Sequence, residues 1–195
     1  MKGPYMTDRF EPAPPLPPEL PAPGDDGAAD HLPGMAIPHL QLASTGGSDE
    51  DLAGLASGGL VLFVFPGRGP PSEADPPGWR DTPGAYGCTQ ESCGFRDRHD
   101  AFSDLGFRVA GLSAQAPERQ LEAARRLHLP YPLLADPDRA IGGHLNLPTF
   151  SVDGSVYYKR LTLVARAGRI VRVFYPVFPP DEHPAHVLAW IARNA

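Results

Sequence analysis

Leu60 to Phe65 reads LVLFVF, an unbroken apolar run with two glycines before it and Pro66-Gly67 after it. A half-exposed strand alternates apolar with polar residues, so a short run that is apolar throughout fits a strand covered on both faces. This predicts a central sheet strand with a layer of structure on each side. Among architectures built from two or three packed layers, that favours the α/β class.

The pattern downstream agrees. Residues from about Cys88 to Leu105 read as one helix, because Cys88, Phe95 and Phe102 recur at seven-residue spacing, with Ser92, His99 and Leu105 near the same stripe. Phe107–Ser113 predicts a strand, Pro117 opens a charged helix through Leu121, Ala124 and Leu127, and Tyr131–Leu134 predicts a short strand. Asp136 or Asp138 is placed to cap the next helix. Leu161–Ala165 and Ile170–Tyr175 flank Arg166-Ala167-Gly168-Arg169, which reads as a β-hairpin, and a last helix runs from about Pro184 to Arg193.

Upstream, the globular part is expected to begin near His31, where Met35, Ile37, Leu40 and Leu42 supply spaced apolar residues before a turn at Gly46-Gly47 and a short helix from Ser48. Residues 1–30 are dominated by Pro, Ala, Gly and acidic residues, which bury little apolar surface against their ordering cost, so they read as a disordered proline-rich tail. The expectation is one domain over 31–195 plus that tail. Between Pro66 and Gly87 lies a long unpatterned stretch with an exposed-looking Trp79; loops of that length are usually functional or disordered, and this one leads straight to Cys88.

A formal net charge of -6 argues against sequence-independent binding to nucleic acid or anionic lipid, both of which reward clustered Lys and Arg. No stretch has the apolar length of a membrane span, and Met1–Pro23 lacks the hydrophobic core of a secretory signal, so a cytoplasmic location is expected. The seven histidines are scattered without zinc-site spacing, and no metal or organic cofactor is expected. His99 reads as helix surface or packing edge.

Only two cysteines occur, Cys88 and Cys93. In a chain with so few, a disulfide-stapled secreted scaffold is excluded, and two close cysteines suggest redox chemistry. Cys88 stands where the turn Pro83–Gly87 enters the helix, so free backbone N–H groups and the helix dipole can favour a thiolate. Five residues of intact helix place the two Cα atoms about 8 to 9 Å apart, whereas a disulfide needs about 4.4 to 6.8 Å. A bond between them therefore requires the first turns of the helix to unwind.

The run Thr82-Pro83-Gly84, then Gly87-Cys88-Thr89-Gln90-Glu91-Ser92-Cys93-Gly94-Phe95-Arg96-Asp97, resembles the TPGCTxExCxFRD active-site segment of Q-type peroxiredoxins, the bacterioferritin comigratory proteins. Arg160-Leu161-Thr162-Leu163-Val164 is similar to that family's RxTFxI strand, and Gly111-Leu112-Ser113 to its GxS. The resemblance runs in order over about 31–195. It implies a thioredoxin-like fold with a central mixed sheet flanked by helices, and a thiol peroxidase acting on hydrogen peroxide and organic hydroperoxides. On this reading Cys88 is peroxidatic, Cys93 resolves it as an intramolecular disulfide, and Arg160 stabilises thiolate and peroxide, with Glu91 and Arg96 in support. Thioredoxin or a similar dithiol is the implied reductant, and a monomer or weak homodimer the expected state.

One departure concerns the family's PxxxTxxC motif. Ala85 stands at its threonine and Asp81 at its proline, as if three residues, Ala85–Gly87, were inserted after Thr82-Pro83-Gly84. The hydroxyl of Thr82 or of Tyr86 is then the expected substitute. Pro148-Thr149 resembles a cis-proline turn of such folds but is left outside the site. A thiol-based redox sensor or disulfide oxidoreductase would use the same cysteines, although thioredoxin-type enzymes pair theirs as C-x-x-C. A nonenzymatic interaction module on the same scaffold is the third reading.

Overall fold

The computed structural model describes residues 13–67, 70 and 72–194. In chain order the elements are β1 (Gln41–Ser44), β2 (Glu50–Asp51), α1 (Leu52–Leu55), β3 (Gly59–Val64), α2 (Cys88–Arg96), α3 (His99–Asp104), β4 (Phe107–Ser113), α4 (Pro117–Arg126), β5 (Leu133–Ala135), α5 (Ala140–Leu145), β6 (Thr149–Val152), β7 (Ser155–Tyr158), β8 (Leu161–Arg166), β9 (Arg169–Phe174) and α6 (His183–Asn194). Seven strands form one mixed sheet in the order β2-β1-β5-β4-β3-β8-β9, and β6 and β7 form a separate hairpin.

The LVLFVF run lies near the middle of that sheet, paired in parallel with β4 and antiparallel with β8. Its side chains divide between two cores, as the period of two requires. Leu60, Leu62 and Val64 join Leu112, Leu134, Leu163 and Tyr158 on one face. Val61, Phe63 and Phe65 join Phe95, Phe102, Val187 and Ile191 on the other, the face that carries α2 and α6. The Phe63 and Phe95 rings stack with centroids 4.6 Å apart, which seats α2 on the central strand. This is the thioredoxin-like layering expected from the sequence.

Several boundaries differ from expectation for local reasons. The single helix from Cys88 to Leu105 is two, broken at Asp97-Arg98, where Arg98 takes φ -117 and ψ 7. Phe95 and Phe102 still share one core, their rings 5.7 Å apart, so the apolar stripe survives a kink it does not register. The helix expected from Ser48 begins at Leu52, capped by Asp51, whose side chain accepts from the Gly54 N–H. Of the two candidate caps, Asp136 acts, accepting from the N–H groups of Ala140, Ile141 and Gly142 and from the Tyr158 hydroxyl. The β8–β9 turn uses Ala167 and Gly168 at φ 48 and 74, the left-handed pair a two-residue hairpin demands. The cis prolines of the described chain are Pro176 and Pro179, not Pro148.

Trp79 is 1% exposed rather than open to solvent. Its ring meets Tyr157 edge-on at 4.9 Å and Phe150 at 6.0 Å, and Ala85 and Val152 complete the cluster. The β6–β7 hairpin, whose short TFSV and SVYY strands went unread in the sequence, thus holds down the described part of the long loop before Cys88.

The expected tail also divides. Residues 1–12 lie outside the described residues, but 13–30 run along the domain: Ala29 is in the core, and Asp26 accepts from Lys159 and Tyr175. Prolines give an extended segment little conformational freedom to lose, so a few contacts suffice to hold it.

Candidate active site

Two segments leaving opposite ends of neighbouring connections converge on Cys88. The long loop ends at Gly87, whose φ of 103 turns the chain into α2. A Cβ at Gly87 would collide with Pro180, so glycine is required both by backbone conformation and by space. Cys88 is then the first residue of the helix, half-buried, with the helix N-terminus directed at it. From the other side Arg160, immediately before β8, reaches back under the loop.

Arg160 Nη2 lies 3.2 Å from Cys88 Sγ and donates also to the Tyr86 carbonyl at 3.1 Å. Its Nη1 is paired with Glu91, one turn into α2. Both members of this pair are almost fully buried. Burial pushes the Glu91 carboxyl up to about 7, with Arg160 pulling the other way. Burial also works against charge on Arg160, but Glu91 and Cys88 beside it more than offset that and hold the guanidinium above its ordinary range. A fixed cation in contact with the sulfur, at a helix N-terminus, is the environment that stabilises negative charge on a thiolate and on an oxygen leaving it.

Cys93 is a buried free thiol, five residues along the same helix. Burial pushes its thiol up, with Arg96 a smaller opposing influence. Arg96 belongs to this end of the helix: its guanidinium binds Asp97 at 2.8 Å and the Leu127 carbonyl at 2.9 Å. Tyr131 donates to the Ser92 carbonyl at 2.6 Å and so ties the same turn to the core.

The two hydroxyls proposed to replace the one missing at Ala85 lie differently. Thr82 donates to the Gly78 carbonyl at 2.8 Å, inside its own turn. The Tyr86 ring packs on the Trp79 cluster. Ala85 itself is buried in that cluster and offers its carbonyl to Arg160 and, at 3.8 Å, to the Cys88 thiol. Thr82 does line a groove of about 260 Å³ with Pro23, Pro83, Phe150, Arg160 and Tyr175.

Two neighbours had no sequence signal. His183, the first residue of α6, is bonded to the Thr162 hydroxyl at 2.8 Å and packed edge-on against Phe174. Burial, reinforced by Arg160, pushes it down to about 3, so it is neutral and adds no second cation beside Arg160. Gly94 lies against Pro184, where a Cβ would approach Pro184 Cγ to 2.8 Å, which lets α2 and α6 pack closely. Among the described residues, no group of three His, Cys, Asp or Glu side chains is arranged for a metal, and no helix is long and apolar enough to cross a membrane.

Comparison with known proteins agrees with the architecture. The redoxin family matches residues 32–188. A chloroplastic peroxiredoxin Q of Gentiana triflora is 25% identical over 158 residues, 81% of this chain and 65% of the relative. The Arabidopsis thaliana peroxiredoxin Q is 25% identical over 158 residues, 81% and 66% of the two chains. The chain thus spans a little under two thirds of the length of these relatives. Peroxidoxin BcpB from Mycobacterium tuberculosis superposes with a TM-score of 0.67 at 25% identity, covering 85% of this chain and 99% of that one. A Xanthomonas campestris peroxiredoxin Q mutant gives 0.66 at 22% identity, covering 85% and 98%, which speaks to the fold alone. With most of its length in the family match, the chain belongs to the redoxin family, and its similarity within that family is to peroxiredoxins of the Q type.

Proposed function

We propose that the protein is a thiol peroxidase that reduces hydrogen peroxide and organic hydroperoxides at Cys88 and resolves the product with Cys93. The observation that carries this reading is the Arg160 guanidinium, held by Glu91 and donating to Cys88 Sγ at 3.2 Å. The Cys88 thiolate attacks the terminal peroxide oxygen, an S–O bond forms as the O–O bond breaks, and the alcohol or water leaves with a proton. Arg160 and the first N–H groups of α2 stabilise the charge on the departing oxygen.

The Cys93 thiol then attacks the sulfenic sulfur, expelling water and forming the disulfide, after α2 has unwound far enough for the sulfurs to meet. An external dithiol such as thioredoxin returns both cysteines to thiols by exchange. A redox sensor using the same steps is the second reading. It is favoured by one observation, that the Thr82 hydroxyl is bonded to Gly78 and not turned to the sulfur.

The test is peroxide consumption with thioredoxin, thioredoxin reductase and NADPH, for wild type, Cys88→Ser and Cys93→Ser. Peroxidase function requires turnover abolished in Cys88→Ser, and stalled after one cycle in Cys93→Ser unless an added thiol rescues it. Wild-type turnover no faster than Cys88→Ser, across several peroxides and reductants, overturns the proposal. Single oxidation of wild type without turnover selects the sensor.

A further inference from the structure

The segment before the family match is built onto the active site. The redoxin match begins at residue 32, yet residues 14–26 touch the chain on both sides of Cys88. Gln90 Nε2 donates to the Pro14 carbonyl at 2.9 Å, and Gln90 is only 7% exposed. Leu16 lies over Gly87, its Cδ2 3.3 Å from where a Cβ there would stand. Pro23 lies over Gly84 at 3.5 Å on the same measure. The far end is fastened by Asp26, which accepts from Lys159 Nζ at 2.5 Å and from the Tyr175 hydroxyl at 2.6 Å. Lys159 precedes Arg160, so the fastening and the guanidinium share one stretch of backbone.

These contacts fall on the part of the molecule that must move. A disulfide between Cys88 and Cys93 cannot form within an intact helix, so the turn containing Thr89, Gln90 and Glu91 has to open. Opening that turn breaks the Gln90–Pro14 bond and draws Gly87 away from Leu16. We infer that residues 14–26, fastened by Asp26, are a positioning brace on α2. They hold Cys88 in the helical arrangement facing Arg160 and are released when the Cys88–Cys93 bond forms. The inference rests on the proposed cysteine cycle but not on fast peroxide turnover. By linkage, whatever the brace contributes to the helical state, disulfide formation removes from the brace.

The step it opposes is Cys88–SOH plus Cys93–SH giving the disulfide and water. Without the brace that step accelerates, while attack of the thiolate on peroxide, which uses the helical state, does not. Losing the Gln90 bond and the Leu16 contact together is expected to raise the resolution rate about fivefold or more. Asp26→Asn, which weakens a partly exposed fastening, has a smaller effect in the same direction.

Two measurements test this. In the unaltered full chain, the rate of cleavage after Glu19 by a glutamate-specific protease is compared between the reduced protein and the disulfide form made with diamide, which takes up the two electrons and two protons. Slow cleavage in the reduced form that accelerates on oxidation is expected; equal cleavage rates in both overturn the brace. Stopped-flow tryptophan fluorescence then separates peroxide attack from resolution in wild type, Asp26→Asn and a chain lacking residues 2–24. Faster resolution with an attack rate within twofold of wild type is expected, and resolution unchanged in the shortened chain overturns the brace. Loss of peroxide turnover with the cleavage difference intact would sink the peroxidase reading alone. Normal turnover with no cleavage difference would sink the brace alone.

Discussion

The Glu91–Arg160 pair makes a prediction about stability that runs opposite to the usual behaviour of a carboxylate. Glu91 is fully buried, and burial pushes its carboxyl from 4.5 up to about 7 in the folded protein. The folded state therefore binds this proton more tightly than the unfolded state. The resulting stabilisation is fully present below pH 4.5 and is lost as pH rises towards 7. The gap between 4.5 and about 7, at about 1.36 kcal/mol per pH unit, corresponds to about 3 kcal/mol. Glu91→Gln keeps the shape of the side chain and removes the titration. Urea unfolding of both proteins, kept reduced, at pH 4.5 and pH 8 gives four free energies. The wild-type minus Glu91→Gln difference should fall by about 3 kcal/mol from the lower pH to the higher, other groups cancelling in the difference. A difference that stays constant, or rises with pH, would refute the reasoning and mean that attraction to Arg160 outweighs burial.

Further outcomes are expected at other positions. Arg160→Met should slow alkylation of Cys88 by iodoacetamide at neutral pH by about tenfold or more, since it removes the donor to Sγ; an unchanged rate would detach Arg160 from the thiol. His183, held near 3 by burial against 6.5, favours proton uptake by the unfolded state, so its contribution is present above pH 6.5 and lost as pH falls; His183→Phe should flatten the acid side of the stability curve. Trp79→Ala should cost about 3 to 5 kcal/mol in urea melts, because a 1% exposed ring is the centre of the cluster that fixes the loop before Cys88. Gly87→Ala should lower both stability and peroxide attack rate, given a φ of 103 and the Pro180 ring where the methyl would go.

The sequence announced its fold through β3, and Arg160, singled out by its resemblance to the RxTFxI strand, lies against Cys88, with Cys93 five residues further along α2. What stayed illegible depends on contacts distant in sequence. TFSV and SVYY are four-residue strands, too short and too polar to signal, and they form because Trp79, from a loop some seventy residues earlier, packs on them. The kink at Arg98 leaves the apolar stripe unbroken, so periodicity passes over it. His183 looks like any histidine at a helix start until Thr162 and Phe174 surround it. Pro14–Asp26 has the composition of a solvated tail, and composition does not encode that Gln90, Lys159 and Tyr175 offer it partners.

The antiparallel pairing of β3 with β8 has a consequence for how the site can fail. Val64 pairs with Leu161, so Arg160 stands one residue beyond the end of β3, on the side from which the Cys88 loop departs. A two-residue slip of β8 would keep the alternation of faces, yet it would set Lys159 or Arg166 opposite a buried residue of β3 and carry Arg160 about 6.8 Å from its position. The turn pins the same alignment: Ala167 and Gly168 donate to the carbonyls of Gly58 and Ala56, and the irregularity at Val164/Ala165 occurs once along β8. The spacing between sulfur and guanidinium is thus fixed at the opposite end of the sheet, by a turn that never approaches either.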